Sequence, residues 1–163
     1  MKKSTIIILS VVGGIILLAL LLFGWITGMY NSLVKLDEGV KQSWAQVENQ
    51  YQRRVDLIPN LVEVVKGYAS HEKEVFEKVA EARSSVGKLQ LTPEILNDPQ
   101  MFQKFQQAQA GISGALSRLL AVAENYPQLK ANENFLQLQA QLEGTENRIA
   151  VERRRFNEVV QET

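Results

Sequence analysis

The chain contains no cysteine and only one histidine, His71, among its 163 residues. Without cysteine it can form neither disulfides nor thiolate metal sites. A zinc-protease HExxH helix needs two histidines, and a di-iron site in a helical bundle needs two Glu-x-x-His motifs. Val75 stands where HExxH would need its second histidine. We therefore expect neither a metal nor a cofactor.

The chain also has no net charge, because 18 basic residues balance 18 acidic ones. A nucleic-acid-binding surface needs concentrated basic charge, so this balance argues against a nucleic-acid partner. Proline is scarce, with four residues, and runs of β-branched residues are few. The chain is therefore predicted to be all-α.

Charge is absent throughout residues 4–29, and the next charged residue after Lys3 is Lys35. About 24 apolar residues in a helix reach roughly 36 Å, which suffices to cross a hydrocarbon core of about 30 Å. The apolar run is longer than that of a secretory leader and shows no small-x-small cleavage site. Residues 1–30 are therefore predicted to be a retained transmembrane anchor.

Within this anchor, Gly24 and Gly28 form a GxxxG pair, which places two small residues on one helix face. Such a face lets a second helix approach closely in lipid. The alternative is that glycine is simply common in membrane helices. The basic residues Lys2 and Lys3 weakly favour an amino terminus on the inner side of the membrane.

From Leu33 onward, apolar residues recur every three or four positions, which is typical of helices with one buried face. We predict helices at approximately 31–67, 71–88, 99–124 and 133–162. Asp98 before Pro99 and Asn132 are the expected N-caps of the last two helices. Because the loops are short, residues 31–163 are predicted to form an antiparallel up-and-down four-helix bundle that follows the transmembrane helix.

Three local features of these helices carry further expectations. Pro59 lies inside the first apolar stripe and predicts a bend at Asp56 to Pro59, with Asn60 placed to satisfy a freed carbonyl. Gly111 and Gly114 lie inside the third helix, where we expect close helix approach to compensate for their low helix propensity. The last helix is expected to bury a stripe that ends at Val160.

Several motifs along the chain resemble the LemA family. They are WAQV at 44–47, RRVDLIPNLV at 53–62, VKGYASHE at 65–72, YPQLKA at 126–131 and ENRIAVERRRFN at 146–157. The resemblance covers the chain essentially from Met1 and implies a bacterial single-pass inner-membrane protein with a helical bundle. It also implies a bundle in the cytoplasm, opposite to what Lys2 and Lys3 favour, so the side of the bundle stays open. Family members continue past the position of Thr163, so the last helix is expected to be truncated.

Charged residues beside Pro59 are candidates for structural or interaction roles. Arg53, Arg54 and Asp56 either pair with a neighbouring helix, for which Glu146 and Glu152 are available, or face outward to bind a partner. A second basic cluster comprises Arg153, Arg154 and Arg155. This cluster is expected to be solvated, to touch anionic lipid or to lie in a contact between copies.

The resulting functional prediction is a non-catalytic, membrane-anchored scaffold or adaptor. Its expected partners are the lipid bilayer, further copies of the chain and another membrane protein. An alternative is a membrane-stress sensor or an adaptor for a membrane protease. An enzyme or ligand-binding module would require polar groups that converge on the apolar helix faces, and the stripes show almost none.

Overall fold

A computed structural model describes residues 3–89 and 92–163, so Met1 and Lys2 of the predicted anchor lie outside the described part. All regular structure in these ranges is helical, as predicted. The helices are α1 (Lys3–Tyr68), α2 (Lys73–Gly87), α3 (Pro99–Val122), the short α4 (Pro127–Lys130) and α5 (Glu133–Glu162), with 3₁₀ helices at Pro93–Asn97 and Ala123–Asn125.

The chain divides into two compact units, one that ends at Val40 and one that spans Lys41–Glu162. The first unit contains the apolar part of α1, whose large side chains are exposed; Leu9 is 70% exposed and Phe23 is 69% exposed. By length and composition this helix could cross a membrane. The second unit begins at Lys41, and Leu33, which precedes it, is 58% exposed. The predicted domain boundary at residue 31 stays a prediction.

The second unit is an antiparallel bundle of α1 from Lys41 onward, α2, α3 and α5. Along α1 and α5, Trp44 packs on Phe156 with ring centroids 5.3 Å apart, and Asn132 donates a hydrogen bond to Tyr68 Oη at 3.0 Å. The two helices are therefore antiparallel. The predicted N-caps are confirmed: Asp98 accepts from the first turn of α3, and Asn132 accepts from the Phe135 amide.

Two apolar clusters form the core of the bundle. The larger one joins all four long helices around Leu61, Val65, Ile112, Leu119 and Phe135, each no more than 2% exposed. The smaller one is largely aromatic and consists of Trp44, Val47, Tyr51, Ile95, Phe105 and Ile149, with Phe102 and Phe156 against it. Burial of these side chains is the main source of bundle stability.

Two expectations for the helices are wrong. A Cβ built at Gly111 or Gly114 would meet no atom within 4 Å, so close helix approach is not the reason for these glycines. They border instead a shallow groove of about 370 Å³ between α2 and α3. Val160 is 45% exposed, because the buried stripe of α5 ends at the aromatic cluster.

The open space beside Gly111 and Gly114 leads to a stability prediction. Replacing either glycine with alanine should raise the free energy of unfolding by about 0.5–1 kcal/mol, since alanine restricts the unfolded chain and adds no clash. Denaturation of the full chain in nanodiscs, followed by circular dichroism, measures the change. The reverse substitution at an exposed position of the same helix, Ala121→Gly, should lower stability by a similar amount. A loss of stability in Gly111→Ala would show that the glycine is required by its surroundings.

Candidate functional site

Arg54 lies on the buried face of α1, three residues after Tyr51 and four before Ile58. This helical spacing places its side chain in line with the apolar stripe, and the residue is only 2% exposed. A buried guanidinium must be hydrogen-bonded and paired, because it cannot lose its charge. The surroundings of Arg54 therefore form the most polar site inside the bundle.

The guanidinium of Arg54 binds groups from two other helices. Its Nη1 atom donates to Ser113 Oγ on α3 at 2.9 Å and to Glu146 Oε1 on α5 at 2.8 Å. Its Nη2 atom donates to the backbone carbonyl of Gln109 at 3.1 Å and to the side-chain Oε1 of the same residue. The guanidinium carbon also lies 5.2 Å from the centroid of the Tyr51 ring. One side chain thus joins α1, α3 and α5.

The two partners of the ion pair differ in their exposure to solvent. The side chain of Arg54 is 3% exposed, whereas that of Glu146 is 42% exposed. An open cavity of about 350 Å³ lies beside the pair, and Arg153 forms part of its rim. Two buried donors, Arg54 Nε and Gln109 Nε2, have no hydrogen-bond acceptor among the described residues. The network therefore contains more donors than its described acceptors satisfy.

The Arg54 network also separates the two apolar clusters. On α1, the aromatic cluster ends with Tyr51, and the buried residues of the larger cluster begin with Ile58. On α3, Gln109 lies between Phe105 and Ile112 in the same way. The bundle therefore has an apolar, a polar and a second apolar layer in succession.

The other candidates near Pro59 lie on the outer face of α1. Arg53, Asp56, Pro59 and Asn60 are all exposed, and Gln52 donates a hydrogen bond to Asp56 at 2.8 Å. The helix continues through Pro59 to Tyr68, and the bend there stays a prediction. In the described part of the chain, the Asn60 side chain forms no hydrogen bond, so it does not satisfy a freed carbonyl as expected.

The three consecutive arginines on α5 have different surroundings. Arg155 pairs with Glu152 at 3.0 Å, and Arg154 lies 3.9 Å from Glu158. Of the two carboxylates considered for Arg54, the structure thus places Glu146 against it and leaves Glu152 with Arg155. Arg153 lines the cavity beside Arg54 and has no ion pair with any residue in the described ranges.

The glycines of the apolar helix lie in the first unit. A Cβ at Gly24 or Gly28 would meet nothing within 4 Å. Their face is therefore open, and the predicted contact with a second helix stays a prediction.

Gln109 and Ser113 are the site residues that the sequence reasoning missed. Gln109 is 4% exposed and occupies a position of the α3 stripe that an apolar residue would normally fill. The sequence does carry a signal for this site: Gln109 interrupts the apolar stripe of α3, and Arg54 interrupts that of α1. Together they indicate a shared polar layer.

Glu48 follows Val47 of the aromatic cluster on α1 and has a perturbed carboxyl group. Partial burial raises the pKa of Glu48 above its usual value, because removal from water disfavours the charged form. Among the described residues, no group of three or more His, Asp or Glu side chains is arranged to hold a metal ion.

The fold and the site define a class of protein: an all-helical bundle, in which a buried arginine contacts two other helices, that follows an apolar helix able to span a membrane. Residues 43–163 match the LemA family, and the chain belongs to that family. The family resemblance of its motifs is thereby confirmed.

The curated relatives of the chain include magnetosome proteins. It is 26% identical over 144 residues to magnetosome protein MamQ of Magnetospirillum gryphiswaldense, and 26% identical over 150 residues to MamQ 1 and MamQ 2 of Paramagnetospirillum magneticum. Each alignment covers 78% of this chain and 53% of the relative. The chain therefore spans about half the length of the curated relatives it matches.

The burial of Arg54 leads to a second stability prediction. Arg54→Ala should cost about 3–5 kcal/mol of unfolding free energy, because it removes the guanidinium and leaves the buried polar groups of Gln109 unpaired. Arg155→Ala removes an exposed ion pair and should cost less than about 1 kcal/mol. Chemical denaturation of both variants measures the difference. Equal costs would show that the Arg54 network does not stabilise the bundle.

The raised pKa of Glu48 predicts that removing its charge stabilises the bundle in a pH-dependent way. The pKa of Glu48 is higher in the folded chain than in the unfolded one, so the ionised carboxylate destabilises the fold at pH values above its pKa. At pH values well below the pKa the carboxyl group is protonated in both states and has no such effect. Glu48→Gln should therefore raise the melting temperature at pH 7 and leave it unchanged near pH 3. Glu63→Gln, at an exposed position of the same helix, is the control. A gain for Glu48→Gln that is the same at both pH values would contradict the assignment.

Proposed function

We propose that this chain is a non-catalytic adaptor that a single N-terminal helix holds in the bacterial inner membrane and whose bundle binds another membrane protein or further copies of itself. The observation that carries the proposal is that the buried polar side chains form hydrogen bonds within the bundle. Arg54 and Gln109 bond one another, and Thr145 donates to the carbonyl of Gln141 in its own helix. The Arg54–Gln109 contact thus joins two helices, and the hydroxyl of Thr145 is satisfied within α5.

The apolar helix supports the membrane part of the proposal. Its large apolar side chains are exposed in the described part of the chain, and lipid is the environment in which such a surface is stable. The side of the membrane on which the bundle lies is left to the experiment, since the flanking lysines and the family resemblance favour opposite sides.

The surface of the bundle supports the interaction part. Grooves of about 330–470 Å³ run along its helices, and all of them are open. Shallow open grooves between helices suit contact with another protein surface better than enclosure of a small molecule.

Crosslinking in intact membranes tests the proposal. A tagged full-length chain is treated with a lysine-reactive crosslinker, and mass spectrometry identifies the crosslinked peptides. We expect crosslinks to one reproducible membrane protein or between copies of the chain, and the compartment of a partner would identify the side of the bundle. Crosslinks spread over unrelated proteins in proportion to their abundance would contradict an adaptor function.

A companion experiment tests contacts between the apolar helices. Replacing both Gly24 and Gly28 with leucine should abolish crosslinks between copies if the GxxxG face joins them, because leucine prevents close backbone approach. Gly13→Leu is the matched control on the same helix. Crosslinks between copies that persist in the double variant would place the contact in the bundle.

A further inference from the structure

A continuous groove runs between α3 and α5 on the outside of the bundle. Two cavities, of about 470 and 350 Å³, lie end to end between these helices and share Ser113 and Glu146 as lining residues. On α3 the lining extends from Gln106 to Leu120, which corresponds to roughly 21 Å of helix length. We call this channel the α3/α5 groove.

The walls of the α3/α5 groove leave room for a further helix. Its α3 side carries the small exposed residues Ala110, Ser113 and Ser117 at successive turns. Small side chains at this spacing allow an approaching helix to lie close to the backbone. The length of about four turns is that of the amphipathic segments that bind in helical grooves.

The two ends of the groove differ in chemistry. One end has an apolar floor of Leu116 and Leu142, which are 3% and 4% exposed, with the partly exposed Leu120 beside them. On its α5 side this end is also lined by Glu143 and Asn147. The other end contains the buried Arg54 and Gln109, with Arg153 at the rim. The apolar end offers a place for aliphatic side chains, and the polar end offers hydrogen-bond donors.

The polar end has a surplus of positive charge. The charge of Arg54 is met by Glu146, but Arg153 has no ion pair among the residues that the structure describes. The α3 wall carries no charged residue between Lys104 and Arg118. Glu146 on α5 is the carboxylate that lines this end, and its Oε1 atom accepts from Arg54 at 2.8 Å, so a carboxylate that entered here would pair with Arg153.

We propose that the α3/α5 groove binds an amphipathic helix of a partner protein, with apolar side chains over Leu116 and Leu142 and an acidic side chain paired with Arg153. Gln106 lines the end of the groove near Arg153, and Leu116 lies at the other end. For a helix that lies along α3, the acidic side chain and the apolar side chains of the partner are therefore about ten residues apart. This inference rests on the adaptor function proposed above and assigns the surface and the chemistry of the partner.

Site-specific photocrosslinking in native membranes tests the groove. A photoreactive amino acid replaces Ser117 in the full-length chain, and a second chain carries it at Gln103, an exposed position of α3 outside the groove. We expect Ser117 to crosslink to one helical segment that contains an Asp or Glu about ten residues from an apolar pair, and Gln103 to crosslink far less. A yield at Ser117 no higher than at Gln103 would overturn the proposal, as would a segment from a second copy.

Charge reversal tests the role of Arg153. Arg153→Glu should lower the crosslinking yield at Ser117 about tenfold, because repulsion replaces attraction of the partner carboxylate. Arg155→Glu makes the same charge change next to the groove, where Glu152 is the partner, and should leave the yield within about twofold. Replacing the partner's acidic residue with arginine should restore binding to Arg153→Glu. Equal losses in the two variants with no restoration would overturn the proposal.

The outcomes separate the two proposals. A partner recovered by the lysine-reactive crosslinker, with no specific yield at Ser117, would overturn the groove and leave the adaptor function standing. An absence of specific crosslinks in both experiments would overturn both. Unfolding midpoints of the two arginine variants equal to that of the parent chain confirm that any loss of yield reflects binding.

Discussion

The buried guanidinium of Arg54 is the interaction on which the arrangement of the bundle depends. Removing such a group from water costs several kcal/mol, and this cost is met only when Gln109, Ser113 and Glu146 all surround it. A shift of α3 or α5 by one turn would leave the charge buried without its partners. Apolar contacts alone discriminate less between such registers, because the hydrophobic effect is non-directional. The contacts of the polar layer therefore favour the register in which the three helices pack.

Much of this fold could be predicted because its helices obey local rules. The three- and four-residue spacing, the N-caps Asp98 and Asn132 and the proline at the start of α3 each act within one or two turns of the chain. The site was less accessible. Arg54 could be recognised as a candidate, and the polar residue Gln109 in the α3 stripe was an available signal. The pairing of the two could not be predicted, because they lie 55 residues apart and only the packed bundle joins them. Gly111 and Gly114 were misinterpreted since glycine in a helix indicates either a close neighbour or open space, and composition does not distinguish the two.

The family assignment agrees with this division of the molecule. The LemA match covers residues 43–163, which is nearly the range of the compact bundle unit, Lys41–Glu162. The family pattern thus follows the part of the chain in which side chains pack against each other. The apolar segment is subject to a looser requirement, because length and hydrophobicity suffice for a helix to span a membrane and many sequences satisfy both. The Arg54 network lies well inside the matched range.

The distance along the chain between Arg54 and Glu146 has a consequence for biosynthesis. Glu146 follows Arg54 by 92 residues, so α1 leaves the ribosome long before the carboxylate that neutralises its buried charge. During that interval α2 and α3 can pair as a local hairpin, but Arg54 has to remain hydrated. Only when α5 emerges can the guanidinium enter the core, and α5 is therefore the helix that closes the bundle around Arg54.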